Sequence, residues 1–443
     1  MFSALIALPQ SSDNTGKLDS IDSGQAQIIA KTLRHQQHQV CDGEALRAES
    51  LTAQQLSPGA ALLLNLLLFL TFEQAARFVS PIIVLSGADV GGYDKGTAFA
   101  FFSSIDSPEH RNCRFYLDRF PIKRFGDGDM DIAYTIAVEN DVRPVARILR
   151  MIYRENNYYC IHLNRKANST LYTAMKGLLT CFRKNVELVE KNSSFAVTRG
   201  DESVLQAQLV CAEQALKRNK RWKYLINIDD DEFPLRTNLE TVAILKALNG
   251  SNLVEAFSTN SLKPKVGNKT LPLEVTWYKG ASHGAYRREF LQEAVLGQAV
   301  APIRQYLLEH QSFPNPEEYF FPILTYNSKL RLPGACVTAP SPNTEVKFGF
   351  LAEICIREDY GVRCMTKYDR SVCLLGNEHL PMLKEASHLF ASKFDPNYEP
   401  DAYTNLEKWY FDRIKDEMEA GLMPRPAYDT YIYSTLSCSQ RHI

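Results

Sequence analysis

Apolar positions take up a regular rhythm from about residue 131 onward. Residues 134–138 form a short apolar run of strand type. Asn140 and Asp141 then offer a helix cap, Pro144 suits a first turn, and Val145, Ile148, Leu149 and Ile152 recur at helical spacing. Residues 158–162 read as a second strand and about 171–182 as a helix. Val204, Leu205, Gln208, Leu209, Ala212 and Leu216 mark a longer helix, and 224–228 is a further buried strand. This alternation predicts an α/β domain built on parallel strands. Such sheets bind ligands in loops beyond the C-terminal ends of their strands, and the acidic loop Asp229-Asp230-Asp231-Glu232 stands at one such end. Residues 1–112 lack the rhythm and read as a stem: the first half is rich in Gln, Ser and Ala, and turns follow at Gly87, Gly91 and Gly92. The folded domain is expected over 113–430.

Composition narrows the picture. With 45% hydrophobic residues among 443, a full core can be buried. Lys+Arg 50 against Asp+Glu 51 argues against a nucleic-acid partner held by bulk charge. The basic run 217–223 reads as the solvated end of a helix. Neither a GxGxxG nor a Walker A pattern occurs, which disfavours a dinucleotide or P-loop enzyme. Ten cysteines without repeated CxxC pairs disfavour a zinc ribbon. Together with sequons at Asn168, Asn192, Asn249 and Asn268 they favour the oxidising secretory pathway. The N-terminus lacks the basic flank of a signal peptide. The Leu-rich run 59–72 is shorter than the ~20 residues a spanning helix needs, so it reads as a weak membrane anchor or a buried helix.

Several blocks occur in a fixed order between Cys113 and Asp395. They are Ala133-Tyr134-Thr135-Ile136 with Tyr159-Cys160-Ile161-His162, then Trp222-Lys223-Tyr224-Leu225-Ile226-Asn227 followed by Phe233-Pro234-Leu235. Next come Asn315-Pro316-Glu317-Glu318-Tyr319-Phe320, Arg370-Ser371-Val372-Cys373 and Phe390-Ala391-Ser392-Lys393-Phe394-Asp395. In sequence and spacing they resemble the core-2/I-branching β-1,6-N-acetylglucosaminyltransferase family. The resemblance implies a single catalytic domain of glycosyltransferase-A type, which is Rossmann-like, and a UDP-GlcNAc donor. It further implies inversion at the anomeric carbon, β-1,6 transfer to an O-glycan core-2 or I-branching acceptor, and a type II membrane protein of the Golgi lumen.

Inverting transfer needs a base for the acceptor hydroxyl and positive charge for the leaving diphosphate. Glu318 matches the family's catalytic Glu, with Glu317 as the adjacent alternative. Pro316 should start a helix that carries both carboxylates in its first turn. By resemblance, Arg370 and Lys393 form a basic pair that does the work of a metal ion, Arg offering bidentate contact and Lys a compact charge. Ala137 and Asn164 match positions beside the donor's uridine. The family has Asp where Asn164 stands, and Asn164 also suits a plain strand-end turn. Glu255 matches an acceptor contact and Lys263 a basic acceptor contact. Phe348 and Phe350 stand where the family has Trp and Tyr on the acceptor side. Asp229 and Asp231 form a D-x-D that could hold Mn²⁺ or Mg²⁺, although the basic pair makes a metal redundant. The resemblance also implies disulfides Cys113–Cys181, Cys160–Cys211 and Cys364–Cys373, and leaves Cys41, Cys336, Cys355 and Cys438 unassigned. Rival readings are a xylosyltransferase-like, metal-dependent enzyme and a non-catalytic sugar-binding relative.

Overall fold

The computed structural model describes residues 94–118, 128–257, 270–309, 314–338, 350–358, 362–421 and 429–443. The apolar run 59–72, Cys41, Asn268, Lys263 and Phe348 lie outside them. A central sheet has the order β3-β2-β1-β4-β7-β6, formed by β1 (Ile132–Val138), β2 (Tyr158–Leu163), β3 (Val186–Leu188), β4 (Tyr224–Asp229), β6 (Leu253–Val254) and β7 (Gly284–Arg287). β3, β2, β1 and β4 run parallel, whereas β7 lies antiparallel to both β4 and β6. β1 sits between two parallel neighbours and is buried along almost its whole length. That explains its unbroken apolar run, since parallel strands are covered on both faces.

The crossovers are α3 (Val142–Ile152), α4 (Ser169–Thr180) and α5 (Glu202–Arg218). Asp141 caps α3 by accepting from the Arg143 N–H at 3.0 Å. Two earlier helices, α1 (Lys95–Ser103) and α2 (Arg111–Asp118), straddle the stem boundary expected at 112 and pack on this body. Gly177 makes this packing possible, because a Cβ there would lie 1.9 Å from the Phe102 carbonyl oxygen of α1. Tyr116 of α2 donates to the Ala146 carbonyl at 2.6 Å, and Cys113 bonds Cys181 just past α4.

The chain runs outward from β1 to β2 to β3 and then returns to the far side of β1 for β4. The direction of winding therefore reverses between β1 and β4, which opens a crevice at their C-terminal ends. Ala137 and Asp229 are register partners there.

A second, three-stranded sheet has the order β5-β11-β8, formed by β5 (Phe233–Pro234), β8 (Glu353–Cys355) and β11 (Phe390–Ser392). It brings Glu353 and Lys393 from late in the chain beside the acidic loop, whose Glu232 directly precedes β5. The Phe394 N–H donates to the Asp231 carbonyl at 2.8 Å and locks this arrangement. A hairpin of β9 (Tyr368–Asp369) and β10 (Val372–Cys373) presents Arg370 at its tip. Helix α6 (Asn238–Ala247) follows β5, α7 (Glu317–Tyr326) carries the two glutamates, and α8 (Pro400–Glu419) closes the molecule. Among the described residues no helix is long and apolar enough to cross a membrane.

Candidate active site

The acidic loop leaves β4 in a tight turn. Glu232, 1% exposed, folds back so that its carboxylate accepts from the Asp229 N–H at 2.9 Å. Asp230 bonds the Glu139 N–H at 3.1 Å, and its own N–H donates to the Ala137 carbonyl at 3.0 Å. The loop is thereby sewn to the end of β1. Asp229 and Asp231 have different nearest ion-pair partners, although the Arg199 charge acts on both. Asp229 faces the His283 Nε2 at 3.4 Å, whereas Asp231 faces the Arg199 guanidinium at 3.9 Å.

His283 was not flagged by the sequence. Asn227 of β4 clamps the backbone on either side of it, donating to the Ser282 carbonyl at 2.6 Å and accepting from the Gly284 N–H at 2.9 Å. Its Nδ1 lies 3.3 Å from Glu353 and its Nε2 3.4 Å from Glu232. Burial alone would push the imidazole down, but the neighbouring Glu232, Glu353 and Asp229 outweigh it and raise His283 well above its ordinary range. Glu232, His283 and Glu353 bring ligand atoms within 4.8 Å of one another, a set chemically able to hold a divalent cation. Within the set, His283 pulls the Glu353 carboxyl down, against burial, whereas burial pushes the Glu232 carboxyl well up. The D-x-D carboxylates point to different partners, so they do not form that set.

Cations gather on the other side of the loop. Lys393 is ion-paired with Asp369. The Lys393 hydrogen bond holds the Asp369 carboxyl below its usual range, and Arg370 and Arg199 add to the effect. Arg370 and Lys393 thus converge on one point, with Arg199 as a third charge that sequence reasoning missed. Arg199 also contacts Glu139 at 3.3 Å. Arg370 and Ser371 have φ of 49° and 66°, the left-handed pair that a two-residue type I′ hairpin turn demands. The Cys364–Cys373 disulfide braces this hairpin.

Glu317 and Glu318 occupy the first turn of α7. The Asn315 N–H donates to the Gly200 carbonyl at 3.0 Å, which seats the helix start beside Arg199. Glu318 pairs with Lys279 at 2.5 Å. Glu317 is buried, and that burial pushes its carboxyl up to about 8, with Glu318, Asp229 and Asp201 contributing repulsion. Burial likewise pushes Glu255 up to about 7, against the pull of Arg357 and Lys279.

Ala137 lies half-buried at the crevice, in a cleft also lined by His162, Gln208, Asn227, Asp229 and His283. Asn164, at the end of β2, spends its amide on local backbone: it donates to the Val197 carbonyl at 3.1 Å and accepts from the Lys166 N–H at 3.0 Å. That is the work of a turn residue. Phe350 is half-buried just before β8. The disulfides Cys113–Cys181, Cys160–Cys211 and Cys364–Cys373 are formed, Cys336 bonds Cys438, and Cys355 is a free thiol. Asn168, Asn192 and Asn249 are exposed; Asn168 also caps α4.

A family model described as Core-2/I-Branching enzyme matches residues 132–347. The chain is 29% identical to a zebrafish (Danio rerio) beta-1,3-galactosyl-O-glycosyl-glycoprotein beta-1,6-N-acetylglucosaminyltransferase 4, over 62% of this chain and 69% of that one. It is 29% identical to a human N-acetyllactosaminide beta-1,6-N-acetylglucosaminyl-transferase, over 66% and 75%. A bovine beta-1,3-galactosyl-O-glycosyl-glycoprotein beta-1,6-N-acetylglucosaminyltransferase is 30% identical, over 62% and 69%. An α/β sheet with its crevice at the β1–β4 switch, a carboxylate pair opening a helix and a hairpin-borne arginine beside Lys393 are thus found in a chain that belongs to the core-2/I-branching enzyme family.

Proposed function

We propose that this glycosyltransferase moves N-acetylglucosamine from UDP-GlcNAc, in β-1,6 linkage and with inversion, to a glycan acceptor. The observation that supports the reading is the gathering of Arg199, Arg370 and Lys393 about Asp369 beside the acidic loop that follows β4. In this mechanism a carboxylate oxygen of Glu318 takes the proton of the acceptor hydroxyl. The hydroxyl oxygen forms its bond to the anomeric carbon from the face opposite the diphosphate. The bond from that carbon to the diphosphate oxygen breaks, and the electron pair leaves on the diphosphate. Arg370, Lys393 and Arg199 stabilise that charge as it grows, which is where fixed cations lower a barrier most. Ala137 stands where the uridine would rest, with Asn164 bracing the neighbouring loop. Glu255 and Phe350 belong to the acceptor side, with Lys263 and Phe348 assigned there from the family match alone.

Glu318→Gln should lower kcat by a factor of about 10²–10⁴ with UDP affinity kept, the range expected for loss of a general base. The assay is transfer from UDP-GlcNAc to galactosyl-β-1,3-N-acetylgalactosamine and to N-acetyllactosamine, with the product linkage read by mass spectrometry. Near wild-type turnover by this variant removes Glu318 from the role. A second, metal-assisted reading is favoured by the Glu232–His283–Glu353 set. Full activity in EDTA counts against it; loss of activity restored by Mn²⁺ counts for it. The Golgi lumen is the location that fits the four disulfides and the exposed sequons.

A further inference from the structure

We propose that Lys279 is a positioning residue for the transfer: its ammonium fixes the Glu318 carboxylate and links it to Glu255, coupling the base to the acceptor-side carboxylate. The inference rests on Glu318 being the base. Lys279 Nζ lies 2.5 Å from Glu318 Oε2, and the two side chains are 20% and 15% exposed. An ion pair this sheltered is screened far less than a surface pair. It is also held by backbone on every side. The Phe257 N–H donates to the Lys279 carbonyl at 2.6 Å, and the Gly280 N–H donates to the Glu318 carbonyl at 2.8 Å. Gly280 has no side chain to spare, since a Cβ there would sit 1.9 Å from the Glu255 carbonyl oxygen. The segments carrying Glu255, Lys279 and Glu318 are therefore laced into one unit, in which the ammonium contacts Glu318 and its charge acts on Glu255.

This arrangement has a chemical consequence. One oxygen of Glu318 is occupied by Lys279, so its other oxygen is the one left to receive the acceptor's proton. Once Glu318 is neutral, the ammonium still faces Glu255 and favours its charged form, the form that accepts a hydrogen bond from a sugar hydroxyl. The charged and titratable groups facing Glu318 are Lys279, Glu317 and Tyr319; those facing Glu255 are Lys279, Arg357 and Glu353. Replacing Lys279 removes the cation that the Glu318 carboxylate is paired with. Loss of an adjacent opposite charge disfavours the ionised form of a carboxylate, and this is what the pH profile below tests.

The test compares Lys279→Met and Lys279→Arg with the wild type, using UDP-GlcNAc with the two acceptors above. For Lys279→Met the expected result is a 10–100-fold fall in kcat, UDP affinity within twofold, and an acid limb of the kcat profile moved up by about one pH unit or more. Lys279→Arg should restore most of the rate and return the limb toward its original place. An unmoved acid limb in Lys279→Met, or a change confined to acceptor KM, overturns the inference. If Lys279→Met does not fold, as judged by UDP binding, Lys279→Gln carries the same two readouts. Glu318→Gln separates the failures: activity there defeats the base assignment, whereas an inactive Glu318→Gln with an unmoved limb in Lys279→Met defeats the coupling alone.

Discussion

If Arg370 and Lys393 hold the donor diphosphate as proposed, Asp369 fills a place that the donor would need. Its carboxylate sits on Lys393 and faces Arg370 and Arg199, so a diphosphate bound there would have to displace it. Lys393 is 15% exposed but Asp369 is 44% exposed, so solvent screens the pair from the Asp369 side, and solvent-exposed pairs contribute at most about 1 kcal/mol. Asp369→Asn should accordingly tighten UDP two- to fivefold by calorimetry at low salt, with the difference shrinking as salt is added. Unchanged affinity at low salt refutes the competition. Glu317 gives a pH signature of a different kind. Burial raises its carboxyl to about 8, above the ordinary 4.5 of an unfolded glutamate, so the native state holds the proton more tightly. The stability this brings is complete below pH 4.5 and is lost as pH rises through 8. Glu317→Gln removes that dependence. Relative to wild type it should gain stability between pH 5 and 8.5 in urea titrations, and a pH-independent difference would show that the proton is not taken up on folding.

At the scale of elements, the β9–β10 hairpin pays a conformational cost to present Arg370. Left-handed backbone at Arg370 and Ser371 costs roughly 1 kcal/mol for each residue with a Cβ. Ser371→Gly should recover part of this, raising the melting temperature by about 1–2 °C. UDP affinity should hold if the turn keeps its shape. The same hairpin shows what sequence can and cannot reveal. The parallel strands β1, β2 and β4 were legible because each is a buried apolar run, with helical patterns in the stretches between them. Strands such as β5, β6, β9 and β10 have two residues each, too few for any period to register. Glu318, Arg370 and Lys393 were reachable through blocks of sequence around them. Arg199, Lys279, His283, Glu353 and Asp369 are single charges with no local signature, and they become neighbours through the crevice and the small sheet.

At the scale of the folded domain, α8 ties together elements that are distant in sequence. Glu407, 1% exposed, receives Arg147 at 2.7 Å and also pairs with Arg150, both from α3. Further along α8, Arg413 pairs with Glu240 of α6 and donates to the Leu235 carbonyl at 2.8 Å, just after β5. Tyr410 reaches the Met151 carbonyl at 3.1 Å. The helix therefore ties α3, which descends from the crevice end of β1, to the segment that leaves the acidic loop. Burying such charges is costly in itself, so the cluster need not outperform an apolar one; removing one partner is what hurts. Glu407→Gln keeps the shape yet takes away the carboxylate charge that two buried guanidiniums share. We expect a loss of about 3–5 kcal/mol in urea unfolding. UDP affinity at low temperature should change little, because no group of the crevice is altered. A stability loss below about 1 kcal/mol would mean that solvent or a neighbouring group compensates both arginines. A large loss of UDP affinity in the folded variant would instead mean that α8 sets the geometry of the site as well as its stability.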